Sequence, residues 1–144
     1  MSDAVGVRGR RARSSLPRAA APAAVLLGAA AGLAYVGAVD PHEAGHYPTC
    51  PFLLVTGLFC PGCGSLRALH ALAHLDVAGA MARNPMTVLA VVLLAGTWLR
   101  WVRRRVRGTE RTVAAPAWLI WSMLGAICLF WVLRNLPGAL WLAP

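Results

Sequence analysis

Residues 19–39 carry no charged side chain, and two further stretches, 85–102 and 113–134, are apolar apart from an arginine near the end of each. An α-helix needs about 20 apolar residues to cross the hydrocarbon core of a bilayer. Three runs of that length predict an all-α membrane protein with three transmembrane helices. The composition agrees: 58% of residues are hydrophobic and 13% charged, which falls on the membrane side of ordinary ranges. A cleaved leader is the rival reading of 19–39. Its apolar run is longer than a usual signal core, and no convincing small-x-small cleavage site follows it before Asp40-Pro41, so an uncleaved span is expected.

The net charge of +9 raises the question of nucleic acid. The placement of the charge argues against it. Arg8, Arg10, Arg11, Arg13 and Arg18 precede the first apolar run, and Arg103, Arg104, Arg105, Arg107 and Arg111 lie between the second and third. Basic blocks beside long apolar segments mark membrane topology, and the arginine-rich sides face the cytoplasm. The expected layout is a disordered basic cytoplasmic tail at 1–18 and spans at 19–39, 85–102 and 113–134. An external segment at 40–84, a basic cytoplasmic loop at 103–112 and an external tail at 135–144 complete it. The N-terminus is then cytoplasmic and the C-terminus external. All 14 basic residues are Arg and none is Lys, a habit of GC-rich bacterial genomes, so the bacterial inner membrane is the expected location. Trp98, Trp101, Trp118, Trp121 and Trp131 suit interfacial belts.

The external segment holds the chemistry-bearing residues. Three of the four cysteines, Cys50, Cys60 and Cys63, fall there with all four histidines. Pro48, Pro51 and Pro61, with Gly57, Gly62 and Gly64, predict irregular backbone from about 45 to 64. From there a short amphipathic helix is predicted near 65–76. Ser65 is its expected N-cap, and Leu66, Leu69, Leu72 and Leu75 recur at three-residue spacing. Arg67, His70 and His74 share the opposite face. Gly79 and then Asn84-Pro85 break it before the second span, which Asn84 caps with Pro85 at its first position.

Three chemistries compete for the cysteines. An external compartment favours a structural disulfide, with one thiol left over and the pairing open. Cys60-Pro61-Gly62-Cys63, opening a helix with Arg67 and His70 nearby, is a redox candidate, although no thioredoxin-like βαβ pattern surrounds it. Cys50, Cys60 and Cys63 with His70 or His74 make a possible metal set, for which zinc is suited.

Blander roles compete at each remaining residue. His42 and His46 read as solvated loop residues, and His70 and His74 as interfacial packing. Arg67 reads as a partner of Asp76, of lipid phosphate or of helix-end carbonyls. Cys128, inside the third span, reads as a small hydrophobe. Gly28-Ala-Ala-Ala-Gly32 matches GxxxG and permits close helix contact. Arg134, at the outer end of the third span, requires a partner, since an ionisable group at that depth is costly.

The residues also carry a resemblance. Cys50-Pro51-Phe52, Thr56-Gly57-Leu58-Phe59-Cys60-Pro61-Gly62-Cys63-Gly64, Arg67-Ala68, His70-Ala71-Leu72, Asp76 and Asn84-Pro85 resemble an uncharacterised family of small bacterial membrane proteins, the domain-of-unknown-function family numbered 2752. The likeness covers about residues 48–135 and includes Arg134-Asn135 after the last span. Leu66 stands where the family commonly has Thr, and Leu75 where it commonly has Gly. The resemblance implies the membrane fold and no particular activity.

No acid–base pair, nucleophile triad or phosphate loop is evident. The leading expectation is a small scaffold or interaction module with an external Cys/His/Arg site, in which Arg67, Asp76, Asn84, Arg134 and Asn135 are the structural polar residues. A membrane thiol oxidoreductase using Cys60 and Cys63, and a metal-binding or transport subunit, are the alternatives. The expected partners are the lipid bilayer and a second copy or another membrane protein, with no nucleic acid.

Overall fold

A computed structural model describes residues 19–43, 45–108 and 115–138. The expectations for the tail at 1–18, the last residues (109–112) of the loop between the last two spans and the far C-terminus at 139–144 lie outside the described residues. Among the described residues six helices follow in order: α1 Ala20–Ala38, α2 Pro51–Thr56, α3 Ser65–Ala73, α4 Val77–Arg83, α5 Pro85–Arg107 and α6 Ala117–Arg134. No strand occurs among the described residues. Helices α1, α5 and α6 are long and apolar enough to cross a membrane. Their side chains are largely uncovered by the chain itself, as at Leu27, Leu94 and Trp121, each about 70% exposed. That much bare apolar surface suits lipid rather than water as its solvent.

Helix α5 runs further than the apolar pattern predicts, reaching Arg107 instead of stopping at 102. Arginine is a good helix former, and cations at a helix C-terminus oppose the negative end of its dipole. Gly108, at φ +68°, then closes the helix in the left-handed conformation glycine tolerates. Much of the expected basic loop is therefore the last turns of a helix, with the Arg105 guanidinium 5.8 Å over the Trp101 ring.

The short helices gather at one end of the long ones. The prolines and glycines of 45–64 do not exclude helix as expected. Pro51 starts α2, because a proline at the first helical position loses no hydrogen bond, and Gly57 ends it at φ +70°. The predicted helix near 65–76 forms as α3 but ends at Ala73, and a separate helix, α4, follows it. The break between them is at Leu75, φ +62°, four residues before Gly79. Asp76 then caps α4 by accepting from the Gly79 N–H at 2.8 Å. Ser65 is the first residue of α3, not its cap; Gly64, at φ +78°, takes the cap position.

The packed face of α3 is made of alanines, not of the leucine stripe. Ala68, Ala71 and Ala80 are buried, with Leu72 and Val88 against them, while Leu66 and Leu75 are exposed. Three-residue spacing falls about 60° behind at each step of a helix turning about 100° per residue, so such a stripe winds off any one face. Small side chains also bring α3 close to α1: a Cβ at Gly37 would stand 3.0 Å from that of Ala73. Gly28 and Gly32, the expected contact pair, meet nothing within 4 Å. At the far end of the pair, the Trp98 indole N–H donates to the Pro22 carbonyl and ties α5 to α1.

Candidate functional site

The site is built on the turn between α2 and α3, and three long helices hold it. From α5 comes Asn84, the only large side chain with no exposed surface among the described residues. Its Oδ1 accepts from the Thr87 N–H at 3.1 Å, which caps α5 as the sequence predicts. Its Nδ2 lies 3.0 Å from the Pro61 carbonyl, 3.1 Å from that of Cys63 and 3.3 Å from Ser65 Oγ. The capping residue of a span thus also clamps the Cys-Pro-Gly-Cys turn. Thr87 adds a bond from its hydroxyl to Ser65 Oγ at 2.8 Å. From α6 comes Asn135, whose Oδ1 accepts from the Phe59 N–H and whose Nδ2 donates to the Phe59 carbonyl, both at 2.9 Å. From α1 comes the Val36 carbonyl, 2.8 Å from His70 Nδ1.

This clamping brings three sulfurs together. Cys50 Sγ lies 3.5 Å from Cys60 Sγ, which lies 3.2 Å from Cys63 Sγ, and the three are mutually within 4.8 Å. All four cysteines are free thiols, and Cys128 is exposed on α6, apart from this group. Cys63 is buried and accepts from the Cys60 N–H at 3.3 Å. Burial, and then its bond with the Cys60 thiol, push its pKa up to about 12. Cys50 moves the other way: the Leu53 amide in the first turn of α2, and then the Cys60 thiol, hold it below the ordinary thiol value. A cleft of about 480 Å³ opens beside the sulfurs, lined by Tyr47, Cys50, Leu53, Phe59, Cys63 and Arg67 among others.

The histidines expected as ligands lie elsewhere. His70 bonds α1, and His74 Nδ1 is 2.9 Å from the His70 carbonyl. Their rings stand 4.5 Å apart, and His42 is 6.3 Å from His70, so the imidazoles form their own group beside α1. His42 also bonds the Asp40 carboxylate at 2.6 Å and meets the Arg83 guanidinium. Helix geometry keeps His70 and His74 on one face, as predicted, but α3 turns that face toward α1 rather than toward the thiols. Asp76 is taken up in capping α4, not in pairing with Arg67.

Arg134 is the other buried polar residue among those described, with 2% of its surface exposed. The sequence signals it by its depth in an apolar run. The hydrogen bonds of Asn135 to Phe59 and of Asn84 to the Cys turn have no comparable signal, because they join residues 76 and 23 or fewer positions apart through backbone groups that every residue carries.

Residues 50–98 match the family described as Protein of unknown function (DUF2752). The matched range holds the three clustered cysteines, Asn84 and most of α5, and ends before Arg134-Asn135. No curated protein and no solved structure matches the chain.

Proposed function

We propose that this three-span protein carries a metal-binding centre for a soft divalent ion such as zinc, held by Cys50, Cys60 and Cys63 at the membrane surface. The observation that carries this reading is the convergence of three sulfurs within 4.8 Å. Four ligands arranged tetrahedrally at about 2.3 Å from zinc put neighbouring sulfurs about 3.8 Å apart, close to the separations found here. Thiolates are the ligands that such an ion prefers. The fourth position would face the cleft, which leaves room for water or an exchangeable ligand, as in sites that do more than brace a fold. With arginine-rich ends of the spans in the cytoplasm, the centre lies on the outer face of the inner membrane. A scaffold role for the whole protein is compatible with this reading, the metal fixing the surface it presents.

The expected result is one Zn²⁺ or Co²⁺ per chain in detergent-purified, reduced protein, lost on Cys63→Ser. Absence of metal from both the parent and a sample incubated with excess Zn²⁺ would remove the proposal.

A second reading has its own observation. Cys60 and Cys63 are 3.2 Å apart, with the second thiol buried and hard to ionise, the arrangement of a dithiol that forms and releases a disulfide. It predicts a Cys60–Cys63 disulfide that exchanges with a small dithiol. A metal-loaded centre instead protects these thiols from alkylation.

A further inference from the structure

Arg134 closes α6 with its guanidinium almost wholly enclosed. Nη2 donates to the Arg83 carbonyl at 3.2 Å, and the buried Nε and Nη1 have no hydrogen-bond partner. The Phe130 and Phe59 rings stand 5.4 and 6.0 Å from Cζ. These rings offer an attractive face but no acceptor. Arginine remains protonated throughout the range in which proteins fold, so this is a full buried charge. The two ion pairs among the described residues join histidines to Asp40 and Glu43 and leave Arg134 out.

The covalent frame brings this charge toward the Cys60–Cys63 turn. Phe59, whose ring the guanidinium faces, precedes Cys60. Arg83, whose carbonyl it holds, precedes Asn84, which binds the Cys63 carbonyl. Arg134 is therefore tied to the Cys60–Cys63 turn through Phe59 and through the Arg83–Asn84 segment, with donors to spare.

We infer that Arg134 is the counter-charge of the metal-loaded centre, set to stabilise a divalent ion bound by three thiolates. The inference rests on the metal reading above and adds to it the charge of the complex. When a divalent ion binds, the three thiols release their protons to solvent and become thiolates. Three negative charges and a doubly charged cation leave one net negative charge. The guanidinium supplies its complement, and buried charge is tolerated when it is paired. Three neutral thiols, or a disulfide with one thiol, leave the guanidinium without an anion. Arg134 is on this view a positioning residue that acts on the ligands through charge and does not coordinate the ion.

The test uses the full chain in detergent, reduced, in a Cys128→Ala background. Titration with Co²⁺ reads affinity and, from the sulfur-to-cobalt charge-transfer band, the number of thiolates. Arg134→Met is expected to bind Co²⁺ at least about tenfold more weakly with the same band, and Arg134→Lys to recover most of that loss. Metal-free Arg134→Met is expected to melt at or above the parent's temperature, since it loses an unpaired buried charge. Parent-like affinity in Arg134→Met overturns the inference and leaves the metal reading standing. So does a weakened affinity that Arg134→Lys does not recover, which marks a role in packing alone. If the parent itself takes up no Co²⁺, the metal reading falls and the role of Arg134 falls with it.

Discussion

Leu75 shows how much one dihedral angle can decide. It holds φ +62° at the junction of α3 and α4 with 87% of its surface exposed. A side chain there strains the backbone by about 1–2 kcal/mol, part of which glycine returns as unfolded-state entropy. Leu75→Gly should stabilise the protein by about 0.5–1 kcal/mol, read as a higher melting temperature in detergent. Four residues on, glycine is required for a different reason. A Cβ at Gly79 would fall onto the Asp76 carboxylate, whose Cγ would be 2.8 Å away. Gly79→Ala should cost about 1 kcal/mol by displacing the cap of α4. The thiols titrate apart for equally local reasons. Cys63 is raised from an ordinary 9.0 to about 12, so between those values the unfolded chain gives up a proton that the folded chain keeps. Its contribution to the stability of the reduced, metal-free protein is complete below pH 9 and is lost as pH rises toward 12. The contribution of Cys50, whose pKa is lowered, has the opposite sign: it is present above 9 and lost as pH falls through the folded value. Melting curves against pH should show the alkaline loss, and Cys63→Ser should remove it.

Among the elements, α6 is attached by its end. Asn135 grips both backbone groups of Phe59, Arg134 holds the Arg83 carbonyl, and Trp131 meets the Phe52 ring edge-on at 6.0 Å. These contacts join the last turn of α6 to the sulfur-bearing turn and to α2. Asn135→Ala removes its two hydrogen bonds to Phe59 and a third to the Trp131 carbonyl, worth about 1 kcal/mol each. Hydrogen exchange at the Phe59 amide should then accelerate about tenfold or more, while the amides of α3 around Ala68 stay protected. The other clamp is stronger, since Asn84 is fully buried and serves the Cys turn and the α5 cap together. Asn84→Ala should cost about 3 kcal/mol and abolish Co²⁺ binding by loosening the turn; unchanged binding would show that the thiols hold their geometry unaided.

At the scale of the whole molecule, three apolar helices carry a small polar cap at one end. The C-terminal ends of α1 and α6 and the N-terminal end of α5 all meet it, through Val36, Asn135 and Asn84. The long helices expose their apolar side chains, and the enclosed core is three alanines with Leu72 and Val88. Stability in this protein therefore depends on lipid around the spans and on hydrogen bonds within the cap. The proposed orientation rests on the distribution of arginine. In a Cys128→Ala background, an impermeant thiol reagent should label Cys50 or Cys60 in intact cells after mild reduction. Labelling only after lysis would reverse the orientation and put the thiol centre in the cytoplasm.

The spans, the charge asymmetry and the clustering of cysteine in one segment were legible in the linear chain. Each depends on composition within a window, and a window sees apolar length, charge and spacing directly. The caps at Asn84 and Pro85 were legible too, because capping acts between neighbours three residues apart. The site was legible only in part. Residues 50, 60 and 63 could be named, but their convergence, and the departure of His70 and His74 toward α1, depend on how α3 is turned about its axis. That rotation is set by the close approach of Gly37 to Ala73 and by the alanine face of α3, small residues that carry almost no hydrophobic signal. Arg134 could be recognised as a charge in need of a partner. Only the tertiary structure showed how it is tied to the Cys60–Cys63 turn, because that link runs through the carbonyls of Arg83 and Cys63, which no side-chain pattern records.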